Sequence, residues 1–394
     1  MKDLETFLQS IRRLDAAGAS YAVATVVKVS GSTYRGAGAR MIVTEEGGMI
    51  GAISGGCVET DVYEQAQSVM ASGTPQIITY DTTSEDDIVW GMGLGCSGIV
   101  EALMERRPEP TGLAYTEFLA DCFDHHKVGV LATVFRETGA VDTSVGDRLI
   151  VRDDGSAADT IADDRLRELV LSDAANEMAQ LQATTVGTAQ GRSQRYNLAR
   201  GSAEVLIEPV LPPLPLVVFG GGHDAVPVVR IARELGWSVS VVDHRPAFAV
   251  DDRFPGARVL LEDDPELAAE KLAMDRRTAL LIMTHNYLKD LAVIRRALET
   301  PVRYVGILGP KRRAQRLLAD FAKENGIPAD DLRARIYSPV GLDIGAETSK
   351  EIALSILAEI QSVFAGRTGG PLRSRGRPIH DRPAAMSLDG GDVQ

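Results

Sequence analysis

Leu216-Val217-Val218-Phe219-Gly220-Gly221-Gly222-His223-Asp224-Ala225 decides the architecture of the C-terminal half. Four consecutive apolar residues suit a strand buried on both faces, and they run directly into G-x-G-x-x-A. Apolar residues then recur at helical spacing (Val228, Val229, Ile231, Ala232, Leu235), and a second apolar run, residues 239–242, ends on Asp243. Strand, glycine turn, helix, strand and acidic end, in that order, form the dinucleotide fingerprint of a Rossmann-like unit. Glycine lets the backbone approach a diphosphate, and the helix start offers it free N–H groups. Gly220, Gly221, Gly222 and His223 are therefore candidate nucleotide contacts. Asp243 is expected to take a ribose 2′-hydroxyl, whereas neighbouring Arg245 suits a 2′-phosphate.

Toward the C-terminus the alternation continues, as a doubly wound parallel sheet requires. Residues 258–261, 279–283 and 303–308 read as strands, and 265–274, 288–298 and 311–325 as helices. A last amphipathic helix is expected over 347–364. Ligands bind at the carboxyl ends of such strands, which makes His285, Asn286 and Lys311 candidates; Lys311 with Arg312 and Arg313 reads equally as a solvated helix face. Residues 366–394, rich in Gly, Pro and Arg, are expected to be a disordered tail.

Toward the N-terminus, Pro209-Val210-Leu211-Pro212-Pro213-Leu214-Pro215 reads as a stiff linker. Before it the chain repeats itself. A strand-like run around Thr25 is followed 15 residues later by Arg40-Met41-Ile42-Val43, and one around Thr133 is followed 15 residues later by Arg148-Leu149-Ile150-Val151. Each unit closes alike, with Glu101-Ala102-Leu103-Met104-Glu105 and Glu204-Val205-Leu206-Ile207-Glu208. The expected organisation is a β-rich module over 1–107, a degenerate copy over 108–211, a Rossmann-like domain over 212–365 and the tail. The fold class is α/β: a duplicated α+β N-terminal region followed by a doubly wound parallel sheet.

The copies differ in chemistry. Only the first contains Ile53-Ser54-Gly55-Gly56-Cys57-Val58-Glu59, two glycines and a thiol between a short strand and a helix. A helix start there would lower the Cys57 pKa and favour Glu59 in the first turn. An anion- or cofactor-binding turn with a reactive cysteine is one reading; a tight turn with a small buried Cys is the other. Trp90-Gly91-Met92-Gly93-Leu94-Gly95-Cys96-Ser97-Gly98 is a second glycine-rich loop, and Cys96 either shares a pocket with Cys57 or sits in a separate turn. The active surface is expected on the first copy, with the second as scaffold.

Composition excludes several classes. A net charge of −13 argues against a nucleic-acid surface. No apolar run approaches the ~18 residues of a membrane span, and the N-terminal segment reads as an amphipathic helix rather than a signal peptide. Cys57, Cys96 and Cys122 are an odd count without metal-ligand spacing, so free thiols in a reducing cytoplasm are expected.

The segments ATVVKVSGSTYRGAGARMIVTEEGGMIGAISGGCVE, GLGCSGIVEALME, VVFGGGHDAVPVVRIARELGWSVSVVDHR, GILGPKRR and GLDIGAETSKEIALSILAEI resemble the XdhC/CoxI family over residues 23–364. The resemblance implies an accessory protein that binds molybdenum cofactor, supports its sulfuration and hands it to an apo molybdenum hydroxylase of the xanthine or carbon monoxide dehydrogenase type. It assigns cofactor contacts to Gly31, Ser32, Arg35, Arg40, Gly55, Gly56 and Cys96, and chemistry to Cys57 and Glu59, with Cys57 as metal contact. Tyr34 stands where many members have proline. The expected partners include a cysteine desulfurase, and the expected assembly is a homodimer. The alternative is an NAD(P)-dependent oxidoreductase built on the Rossmann fingerprint, although no recognisable hydride-transfer set accompanies it.

Overall fold

The computed structural model describes residues 2–31, 33–54, 59–81, 98–107, 115–183, 190–325 and 335–376. They divide into two compact units, one built on Asp3–Ala183 and the strands up to Pro212, the other on Pro213–Ser374.

In the first unit, helix α1 (Lys2–Ala16) leads into β1 (Tyr21–Gly31), β2 (Arg40–Thr44), β3 (Met49–Gly51), α2 (Glu59–Ser72), β4 (Gln76–Asp81) and β5 (Gly98–Arg106). The same series recurs as α3 (Tyr115–Asp124), β6 (Gly129–Gly139), β7 (Arg148–Arg152), β8 (Ala157–Asp159), α4 (Asp164–Ala183), β9 (Arg192–Leu198) and β10 (Gly201–Val210). The two five-stranded sheets have matching orders, β3-β2-β1-β5-β4 and β8-β7-β6-β10-β9. Their registers match too: Thr25 faces Arg40 as Thr133 faces Arg148. Each first strand is bulged at the same place, at Val27 and at Phe135.

A strand covered on one face alternates between buried and exposed residues, yet β1 is buried over its first seven. Both faces are covered. Ala22, Ala24 and Val26 pack on Val62, Ala66 and Val69 of α2, while Tyr21 and Val23 face Leu131 of the other sheet beside α1 and α3. The second sheet lays Val130, Ala132 and Val134 on Leu166, Val170 and Ala174 of α4. The result is four layers: helix, sheet, sheet, helix.

The seam between the copies is pseudo-symmetric residue by residue. Val27 and Leu103 meet Phe135 and Leu206 in one apolar cluster. Around it the charges cross over. Arg40 binds Glu208 through two hydrogen bonds of 2.7 and 2.6 Å, and Arg148 binds Glu105 at 2.5 Å. Lys28 lies 2.8 Å from Glu204 and 3.7 Å from Glu101, and Arg136 lies 2.5 Å from Glu101 and 3.1 Å from Glu204. Even the deficits match, since Nε of both Arg40 and Arg148 is buried without a partner. Gly38 and Gly146 make room for this crossing; a Cβ on either would lie 3.0–3.2 Å from the opposing glutamate.

The second unit contains β11 (Pro215–Phe219), α5 (Ala225–Glu234), β12 (Ser238–Asp243), β13 (Arg258–Leu261), α6 (Pro265–Leu272), β14 (Ala279–Ile282), α7 (Tyr287–Glu299), β15 (Tyr304–Ile307), α8 (Lys311–Asn325), β16 (Ile336–Tyr337) and α9 (Ser349–Phe364). The sheet is parallel throughout, in the order β13-β12-β11-β14-β15-β16. Apolar side chains of α5 and α9 cover one face, and those of α6, α7 and α8 the other. A mixed α/β chain with antiparallel sheets first and a Rossmann sheet last is the class expected from the sequence. Strand β16 lies outside the sequence expectation, because two residues carry no readable period. Within 366–394, a single 3-10 turn forms at Leu372–Ser374, where only a disordered tail was expected; residues 377–394 lie outside the described residues. No described helix is long and apolar enough to cross a membrane.

Candidate functional site

Strand direction points the first module's motif-bearing connections toward one side of its sheet, with β3 ending level with Ala24 and β1 running on to Gly31. β1 reaches that end at Gly31, which pairs with Gly98 at the start of β5. β4 arrives there at Asp81, opposite Ile99. β3 leaves at Gly51, opposite Met41 near the start of β2, and leads through Ile53 toward α2. The segments carrying Ser32 and Cys96 therefore spring from this end and that carrying Gly55-Gly56-Cys57 leaves the sheet in the same direction, although those five residues themselves lie outside the described residues. Glu59 is the first residue of α2.

The copy provides an internal comparison. At the matching end of its sheet, Gly139 pairs with Gly201. Where the first module has 16 residues between β4 and β5, the second has only the turn Ala199-Arg200, closed by Ala140 N–H donating to Arg200 O at 2.9 Å. The helix start is filled as well: Asp163 Oδ1 accepts from Leu166 N–H at 2.9 Å, satisfying a free amide of α4 with the chain's own carboxylate. The second copy keeps the scaffold and the length of the connection between its first two strands, but lacks the long connection between its last two.

Two candidate cations of the first module have defined partners. Arg35 donates to Asp3 at 2.6 Å, an exposed contact. Exposed pairs contribute about 0–1 kcal/mol, so Arg35→Ala is expected to shift the unfolding midpoint little, and loss of ligand in that variant reads directly on binding. Arg40 is different. Its side chain is 8% exposed and held by Glu208; burial alone would lower its pKa, but the glutamate more than reverses this. Arg40 is thus committed to the seam between the copies. Cys122 is buried in the core beneath α3, and burial pushes its thiol up to about 12.

The second candidate site lies in the parallel sheet. The three glycines there have separate duties. A Cβ on Gly220, at φ +108°, would sit 2.4 Å from Met283 O, and one on Gly221 would sit 2.7 Å from Phe248 O. Gly222 alone faces open space, with nothing within 4 Å of its Cβ position. An open cleft at the carboxyl ends of β11, β12 and β13 is lined by Gly220, Asp243, His244, Arg245, Asp263, Thr284 and Lys289. Asp243 is buried at its floor; burial would raise its pKa, but hydrogen bonds from Arg245 and from the amides of Arg245 and Gly221 hold it below the ordinary carboxylate range. His223 is exposed, edge-on to Phe248 at 6.2 Å. Lys311 opens α8 and is exposed.

One candidate from the sequence, His285, lies beside the cleft. His285 has a left-handed backbone, φ 56°, just beyond β14, and its Nε2 lies 3.7 Å from Asp224 at the glycine turn. Asp290, 1% exposed, accepts from Thr284 and faces Arg313 at 2.5 Å, and burial still holds its pKa above the ordinary value. Thr284 and Asp290 carry no motif signature, so only the fold reveals their contact. Among the described residues no group of three His, Cys, Asp or Glu side chains could hold a metal ion.

A duplicated antiparallel module joined to a Rossmann sheet, with the glycine- and cysteine-bearing motifs on one copy only, defines a two-part protein. The chain belongs to the XdhC and CoxI family. The profile of the XdhC and CoxI family matches residues 14–81 and 123–187, one segment in each copy, and that of the XdhC Rossmann domain matches 216–360. A probable xanthine dehydrogenase subunit of Bacillus subtilis is 32% identical over 86% of this chain and 91% of its own. The molybdenum cofactor insertion chaperone PaoD of Escherichia coli is 24% identical over 92% of this chain and 89% of its own. A crystal structure described as a xanthine dehydrogenase from Bacillus halodurans superposes with a TM-score of 0.70 at 28% identity, covering 92% of this chain and 96% of that one.

Proposed function

We propose that this chain is an accessory protein that binds molybdenum cofactor, supports its sulfuration and delivers it to an apo hydroxylase of the xanthine or carbon monoxide dehydrogenase type. The observation that supports this reading is that β1 and β5 meet at Gly31 and Gly98, β4 ends beside them at Asp81, and β3 runs toward the same side of the sheet. The names of the Bacillus subtilis and Escherichia coli relatives agree with it. The cofactor would supply a dithiolene-held metal and a phosphate. Backbone amides around Gly31–Ser32 and Gly55–Gly56, with Arg35, would suit the phosphate, and Cys96 would contribute to the same site. Cys57 would act as thiolate toward the metal or in sulfur exchange with a cysteine desulfurase, and Glu59 would steady the helix start. Arg40, already paired with Glu208, would serve the cofactor only in addition to the seam.

Iodoacetamide at neutral pH is expected to label Cys57 in the folded chain and to leave Cys122 untouched, with bound cofactor protecting Cys57. Cys57→Ser and Cys57→Ala should both fold and lose activation of the partner hydroxylase. If both variants activate it as the parent does, Cys57 is a packing residue. Mass spectrometry of small molecules released from protein made in a molybdenum-replete host tests cofactor binding itself.

A second reading concerns the other unit. The open space at Gly222, at the carboxyl ends of β11 and β12, favours a dinucleotide in the parallel-sheet cleft. NAD(P) is the ligand class this reading names, whether it regulates delivery or serves an oxidoreductase.

A further inference from the structure

Granted the dinucleotide reading of the parallel-sheet cleft, the residues beyond β12 indicate which dinucleotide it takes. Asp243 has a side chain only 1% exposed. Its Oδ1 accepts from the Arg245 amide at 2.8 Å and Arg245 Nε at 2.9 Å. Its Oδ2 accepts from the Gly221 amide at 2.7 Å and Arg245 Nη2 at 2.7 Å. Four hydrogen bonds fill the acceptor sites of a carboxylate. The guanidinium is held from its other side by Phe248, whose ring centre lies 3.9 Å away.

A ribose diol binds such a carboxylate by donating both hydroxyls to it. Here it would have to displace a charge-assisted, two-point ion pair whose carboxylate is withdrawn from water. A phosphate needs donors instead. Arg245 is 39% exposed on the cleft side, and its Nη1 meets no acceptor among the described residues. His244 and Lys289 line the same cleft. The acidic rim residues are already paired, Glu262 with Lys271 at 2.6 Å and Asp263 with Lys289.

We propose that the cleft selects a dinucleotide phosphorylated on the adenosine ribose, NADP(H) over NAD(H), and that Arg245, positioned by Asp243, is the selecting residue. This rests on the dinucleotide reading. Calorimetric titration of the full chain is expected to show NADP+ binding at least about tenfold tighter than NAD+, the size of a charged hydrogen-bond contact. Arg245→Ala should erase the preference by weakening NADP+ about tenfold, while NAD+ holds or improves because the Asp243 carboxylate becomes open to the diol. Titrating the parent with adenosine 2′,5′-bisphosphate and with AMP makes the same comparison without a variant, should Arg245→Ala fail to fold. NAD+ bound as tightly as NADP+, or a preference that survives Arg245→Ala in folded protein, overturns the proposal and leaves the dinucleotide reading standing. Binding of neither dinucleotide overturns both.

Discussion

Glu208→Ala is expected to lower the unfolding free energy of the N-terminal unit by about 3–5 kcal/mol, the usual cost of stranding one partner of a buried ion pair. The reason is local. Arg40 remains charged and 8% exposed, and the variant removes both of its carboxylate contacts. Glu105→Ala should act alike through Arg148, because the two pairs are copies of one arrangement. Replacing both partners with apolar side chains, Arg40→Met with Glu208→Leu, should recover most of the loss, since the desolvation cost goes with the charges. Urea unfolding of the full chain reads these differences in the midpoint. A Glu208→Ala effect below about 1 kcal/mol, the range of an exposed pair, would mean that the seam is not the buried contact described. The double variant also separates two roles for Arg40. If it is stable and still takes up molybdenum cofactor, Arg40 serves the seam; if it is stable and does not, Arg40 also touches the ligand.

Gly222→Val should abolish dinucleotide binding, a loss of about a hundredfold or more, while leaving the melting temperature nearly unchanged. Its side chain would enter the open space over the glycine turn, where a diphosphate approaches the backbone in such folds. Gly220→Ala should show the opposite pattern. There the backbone is at φ +108° and the new Cβ meets Met283 O at 2.4 Å, so strain of about 1–3 kcal/mol and a steric clash fall on the fold itself. Calorimetry beside thermal melts distinguishes the two. Equal melting losses in both variants would show that Gly222 is also a packing residue and would remove its claim on a ligand.

The duplication bears on how delivery would work. The second copy buries the same surface as the first, supplies Glu208 to Arg40 and Glu204 to Lys28, and closes its own loops with Asp163 and the turn at Arg200. It packs on one face of the first module, and the proposed chemistry would fall to the first copy.

Much of this was legible in the residues. The strand–glycine turn–helix–strand order from Leu216 to Asp243, and the equal spacing of Thr25 to Arg40 and Thr133 to Arg148, depend on local periodicity and on backbone needs that sequence records directly. The Rossmann sheet and the repeated modules were therefore expected. The sequence also marked the Gly31–Arg35 and Gly55–Glu59 motifs, because glycine, cysteine and arginine at such turns have few structural substitutes. Pairings across long separations were decided only by the tertiary structure. That Arg40 has Glu208 as a partner, 168 positions away, is visible only in the fold. Likewise, only the fold shows that the turn after β12 brings Arg245 onto the Asp243 carboxylate. Spacing along the chain reports which face a side chain takes; which partner reaches it first is settled by packing, because a buried charge is stable only beside the group that neutralises it.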